Sequence, residues 1–244
     1  MRHLVALLMM STPLAAQGLD GYVLSADIGI GAEYAPAYPG ASDSEASPWF
    51  ILRNGQLTRP GATGETADGF SVLPSFNYVG GRDQDDHESL AGTDDIDAAG
   101  EVGLRLSYDL GQTKSYVALR KGFGGHSGVT GEFGAKYRFD PSDRLTLWTG
   151  AEARFADSDF TRTYFGISDT EAPNTAYSAY TPGGGIYAAS LGVEARYAVS
   201  PSIALLGEVE YTRLLGDASD SPLVQSRGEP SVKLGVVRRF DFRF

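Results

Sequence analysis

The sequence predicts an all-β protein: a transmembrane up-and-down antiparallel β-barrel of about ten strands, with twelve as the alternative count. Three observations predict it. The chain opens on a secretory leader, continues in segments of strict period-two alternation, and closes on an alternating strand that ends in phenylalanine.

The leader is read from Met1-Arg2-His3, a short basic start, followed by the apolar run Leu4 to Met10 and then Ser11-Thr12-Pro13-Leu14-Ala15-Ala16. Cleavage is expected after Ala16, which divides the chain into a signal peptide, 1–16, and a barrel, 17–244. The run is too short to span a bilayer as a helix, which takes about 20 residues. No later apolar stretch is long enough either. A mature chain of this kind is soluble outside the cytoplasm or crosses a membrane as strands.

The alternation is clear in three segments. Val102, Leu104, Leu106 and Tyr108 share one face of 101–108, against Glu101, Gly103, Arg105 and Ser107 on the other. Residues 132–139 and 190–197 repeat the pattern. A soluble sandwich alternates in the same way, so the pattern alone leaves both architectures open. Two details favour the barrel. Opposite charges recur on the polar face with small residues between them, as in Glu101/Arg105, Glu132/Lys136, Glu152/Arg154 and Glu194/Arg196, and can pair across a narrow lumen. Aromatic residues sit at strand ends (Tyr78, Tyr108, Phe123, Tyr137, Phe139, Phe155, Tyr197 and Tyr211), where interfacial girdles belong.

Turn lengths set the topology. Short connections at 109–112, 140–143 and 199–201 alternate with longer ones at 35–46, 80–97, 124–127, 156–182 and 216–228. Outer-membrane barrels have short periplasmic turns and long external loops. The strands are expected at 21–34, 47–54, 68–79, 98–108, 113–123, 129–139, 144–155, 183–198, 202–214 and 231–243. Residues 54–67 are long for a periplasmic turn and leave room for an extra hairpin, hence the alternative of twelve. Counting back by twos from Phe244 gives Phe242, Phe240, Arg238, Val236, Leu234 and Val232. This is the form of a barrel-assembly signal, and Arg238 interrupts its apolar row at a bulge or by snorkelling.

Composition excludes several functions. The chain has no cysteine, so thiolate metal sites and thiol redox chemistry are absent. A net charge of −11 argues against nucleic acid as a partner.

Several segments resemble the MipA/OmpV family of outer-membrane proteins. They are Ala35-Pro36-Ala37-Tyr38-Pro39-Gly40, Tyr164-Phe165-Gly166-Ile167-Ser168 and, most specifically, 211–224, which begins Tyr211-Thr212-Arg213-Leu214-Leu215-Gly216-Asp217. The resemblance covers nearly all of the mature chain. It departs at 54–67, which is shortened or altered, and at the C-terminus, which runs slightly past the family's aromatic finish. The resemblance implies an outer-membrane scaffold, contacting outer-membrane lipid and linking a murein transglycosylase (MltA) to a murein-synthesising penicillin-binding protein. A small outer-membrane channel or receptor is the alternative. The resemblance carries over no partner-binding residue.

The search for chemistry returns little, and the chain is not expected to be an enzyme. No catalytic, cofactor-binding or metal-ligating residue is assigned, and no cofactor is expected. His87 and His126 fall in external loops, where solvation is expected, and Ser127 beside His126 lacks the third, orienting member of a triad. Glu208 and Glu210 lie on one strand face, about 7 Å apart. Ion pairing with Arg196, Lys233 or Arg239 is their expected fate. Gly183-Gly184-Gly185 has no Lys-Ser/Thr after it and is expected to begin a strand, not a phosphate loop. Asp83, Asp85, Asp86, Glu88, Asp94, Asp95 and Asp97 crowd one loop. That composition can hold a hard cation, but the spacing does not fit an EF-hand and a solvated loop is expected.

Overall fold

A computed structural model describes residue 21, residues 23–58 and residues 68–243, without side chains at 54–58. The expected leader and Phe244 lie outside the described residues. No described helix is long and apolar enough to cross a membrane.

Ten strands form one antiparallel sheet: β1 (Val23–Pro36), β2 (Ser44–Thr58), β3 (Gly69–Val79), β4 (Ala99–Leu110), β5 (Thr113–Gly124), β6 (Val129–Ser142), β7 (Leu145–Ala156), β8 (Gly185–Ala198), β9 (Ile203–Leu214) and β10 (Gly228–Arg243). Each falls close to its expected position. Residues 54–58 continue β2, and 59–67, the rest of the segment that prompted the count of twelve, lie outside the described residues.

The sheet order is β2-β1-β10-β9-β8-β7-β6-β5-β4-β3. The first and last strands therefore pair, from Val23 opposite Arg243 to Tyr34 opposite Val232. That pairing curls the sheet into the wall of an up-and-down barrel. The end strands β2 and β3 each carry a proline well inside the strand, Pro48 and Pro74. Proline has no N–H to give a ladder, so these positions suit a sheet edge.

The alternation sorts as expected. Leu104 is 61% exposed and Leu119 53% on the outer face, while Glu101 and Arg120 are buried on the inner one. The outer face carries Ile30, Leu52, Val72, Leu191 and Leu234, and every expected girdle residue but Phe155 is among its exposed aromatics. Tyr108 and Phe123 mark the two girdle levels. On β5 they are separated by residues 115 to 123, about 26 Å along the strand and about 20 Å across a bilayer at ~40° tilt. At the external girdle, aromatic rings cover glycines of the neighbouring strand. A Cβ on Gly100 would meet the Phe123 ring at 2.6 Å, and one on Gly131 the Phe155 ring at 2.2 Å. Such pairs shield bare backbone and pin register.

The ladder to β1 runs unbroken past Arg238 and the ladder to β9 keeps its register up to Arg238 opposite Ile203, so no bulge lies there. Its guanidinium stands 5.4 Å over the Phe240 ring, toward the periplasmic end, which is the snorkelling geometry.

Candidate functional site

The inner wall and the external mouth hold the buried polar chemistry. On the inner wall, alternation delivers one side chain in two to the lumen, and the curl of the sheet brings distant strands together. Arg53 on β2 reaches Glu194 on β8, at 2.7 Å, and Glu208 on β9. Lys136 on β6 approaches the same Glu194 at 3.6 Å. Arg154 bridges Glu152 and Glu210, both at 2.8 Å. Arg120 grips Glu132 through both terminal nitrogens, at 2.9 and 3.0 Å, and donates from Nε to Ser75. Arg105 donates to the same carboxylate and lies 4.5 Å over the Tyr116 ring, whose hydroxyl donates to Glu152 at 2.7 Å. Near the other end, Asp27 meets Arg196 at 3.3 Å and Arg239 at 3.7 Å. An apolar cluster of Ile51, Ala204, Leu206 and Val237, with Trp49 against it, fills part of the remaining lumen.

Glu208 and Glu210 are thus ion-paired, as expected, but with other partners. Arg53 and Arg154 hold them, whereas Arg196 and Arg239 turn to Asp27 and Lys233 to Glu33. Arg196 lies on β8 and Lys233 and Arg239 on β10, the strands on either side of β9. The curl instead decides which strands face one another.

The external mouth carries a cap built from all five long connections. The β7–β8 connection supplies helix α1 (Ser158–Phe165), and the β9–β10 connection supplies α2 (Gly216–Ser219). Asp157 caps α1: its carboxylate accepts from the N–H groups of Asp159 and Phe160 at 3.1 Å and from that of Val129, on β6, at 2.8 Å. Phe160, Tyr164 and Phe165 then pack on Ala156, Ala188, Leu214 and Ala218. A second cluster joins Tyr38, Ala41, Leu90, Ile167 and Leu223, from four different connections. Polar links stitch the same loops. Tyr38 Oη lies 2.7 Å from Ser89 Oγ, Ser221 Oγ donates to the Phe165 carbonyl at 2.7 Å, and Arg82 donates to the Tyr164 carbonyl at 3.0 Å.

The fifth connection contributes His126. Solvation was expected, but its side chain is fully buried. The imidazole lies edge-on to Phe160 and Tyr164, at 5.1 and 5.6 Å between ring centroids. Nδ1 accepts from the Gly128 N–H at 3.2 Å, and Nε2 lies 3.3 Å from Glu101. That carboxylate also accepts from Asn77 and Thr130. Burial depresses the His126 pKa below its ordinary value, against the pull of Glu101 and Asp157. Burial likewise pushes the Tyr164 phenol up to about 12. Sequence reading missed this histidine because its burial comes from a helix some 30 residues further along. The one local signal was Asp157 preceding Ser-Asp-Phe, an N-cap motif.

The other candidates stay apart. The Ser127 carbonyl accepts from Lys121, and the Gly183 N–H donates to the Asp217 carboxylate. In the acidic loop Asp83 and Asp95 accept from the Asp85 and Gln84 N–H groups, while Leu90 and Thr93 are buried beneath. No group of three or more histidine or carboxylate side chains among the described residues is placed to hold a metal ion.

Comparison with known proteins adds three findings. The family profile described as MltA-interacting protein MipA matches residues 28–240. The outer membrane protein Omp26La of Vibrio anguillarum is 28% identical over 163 residues, which cover 65% of this chain and 61% of that protein, so the match spans about three-fifths of the relative's length. Among solved structures, the NanC porin aligns over 88% of this chain and 98% of its own at 12% identity and TM-score 0.40. Ail of Yersinia pestis aligns over 91% and 100% at 13% identity and TM-score 0.29.

Proposed function

The chain belongs to the MipA family of MltA-interacting proteins and is a β-barrel of the bacterial outer membrane, and we propose that it is a non-catalytic scaffold of the envelope. It holds a murein transglycosylase of the MltA kind beside a penicillin-binding murein synthase. One observation carries this reading: the interior is committed to structure. Arg53, Arg105, Arg120, Arg154 and Arg196 are each matched to carboxylates, and all five external connections pack into a cap over the mouth. The periplasmic turns and the outer wall remain as the surfaces that can meet a partner. The alternative, a small channel or receptor, needs an open path along the lumen, where the cap and the ion pairs lie.

The test is retention of purified transglycosylase on the immobilised full chain in detergent, with and without the penicillin-binding protein. Saturable retention of each alone, and of both together, is expected. No retention of either at micromolar concentration would sink the scaffold reading.

A further inference from the structure

We propose that the outer wall over β6–β9 binds one acyl chain of a phosphate-headed lipid of the outer leaflet, with Arg213 holding the phosphate. The outward rows of the barrel are mostly bulky: Leu104, Leu106, Val117, Leu119, Ile30 and Leu234. Over β7 and β8 that row turns small. Ala151 and Ala153 on β7 and Ala189 on β8 leave a groove of about 470 Å³, with Phe133, Leu191 and Tyr211 standing around it. A depression of this size in an otherwise greasy wall fits a methylene chain lying along the strands, and its lining is almost wholly apolar.

The external end of the groove carries the charge. Arg213 lines it, exposed, two residues beyond Tyr211 on the same face of β9, while its neighbours Thr212 and Leu214 are buried toward the inside. The register places Ala189 on one side of Arg213 and Gly228 on the other. A methyl group and a bare backbone position neither crowd nor neutralise it. Among the described residues Arg213 has no ion pair and no side-chain hydrogen bond. The lumenal arginines, by contrast, are matched to carboxylates. An unpaired cation on the lipid face is tolerated near the interface, where its cost is far lower than at mid-bilayer. At that depth lipid phosphates lie, and a guanidinium binds phosphate in a bidentate fork. A phosphate seated over an apolar groove explains both features with one ligand.

Native mass spectrometry of the full chain, released from non-ionic detergent, tests this with two probes: dioleoyl phosphatidic acid and dioleoylglycerol. The unmodified chain is expected to retain one phosphatidic acid molecule about fivefold better than dioleoylglycerol, the factor expected of one arginine at a lipid phosphate. Arg213→Gln removes the preference. Ala153→Leu fills the groove and loses both lipids. Arg238→Gln, an outward arginine at the opposite end, changes nothing. Heat-modifiable gel mobility confirms that each variant is folded. Undiminished phosphatidic acid retention by Arg213→Gln overturns the proposal. So does a dimer mass that Ala153→Leu abolishes, because the groove would then be an interface between two copies of the chain.

Discussion

Replacing Glu132 with alanine removes the carboxylate that two arginines share. Arg120 is the more deeply placed, with its side chain 8% exposed against 11% for Glu132; its remaining hydrogen-bond partner is the Ser75 hydroxyl, and Glu101 and Glu152 act on it only at longer range. Removing one member of a buried pair leaves an uncompensated charge, at about 3–5 kcal/mol. Arg105 is 34% exposed, so water screens its loss, which adds at most about 1 kcal/mol. The expected destabilisation is therefore about 3–5 kcal/mol. Arg138→Ala is the internal standard. It breaks the Arg138–Asp140 pair, whose side chains are 47% and 41% exposed, and costs less than about 1 kcal/mol. The double substitution Arg120→Met, Glu132→Leu leaves neither charge of that pair behind and costs less than Glu132→Ala alone. Urea unfolding in detergent micelles, followed by the gel shift between folded and unfolded bands, gives all three values. If Glu132→Ala costs no more than Arg138→Ala, water solvates Arg120 inside the barrel and the packed-lumen account is wrong.

Two further predictions concern the cap and the barrel wall. The depressed pKa of His126 means that the unfolded cap binds more protons than the folded one between the lowered value and the ordinary value near 6.5. Cap stability is thus complete above that ordinary value and falls as pH drops through the window. Proteolysis at Arg162, on α1, should accelerate there in the native chain and lose this pH dependence in His126→Gln. The chain contains no cysteine, so an engineered pair reports cleanly. Ala32→Cys with Leu234→Cys, opposite each other on β1 and β10, should oxidise to a cross-link that changes gel mobility, whereas Ala32→Cys with Val236→Cys, two residues out of register, should not.

The wall was legible because its signal is local. Period two, turn residues and girdle aromatics located β4 through β9 to within a few residues, since a strand exposing one face to lipid must alternate over its whole length. The lumen was legible in kind but not in detail. Glu194 was expected beside Arg196, yet it meets Arg53 and Lys136, because partner choice depends on how far the sheet curls. The cap was the least legible part. α1 is only two turns long, and its apolar residues Phe160, Tyr164 and Phe165 are explained by Ala188, Leu214 and His126, which lie in three other segments. The unpaired Arg213 has no local signal either, since only the ladder shows that Ala189 and Gly228 flank it.

Paired charges and packed loops leave the interior no open path for ions. Ionic current through the purified chain, inserted in a planar bilayer at neutral pH, tests it most directly. A silent membrane is expected at moderate voltage, with steps emerging only when residues 158–165 are deleted and Arg53 is replaced by alanine. Long-lived openings from the unmodified chain would contradict it.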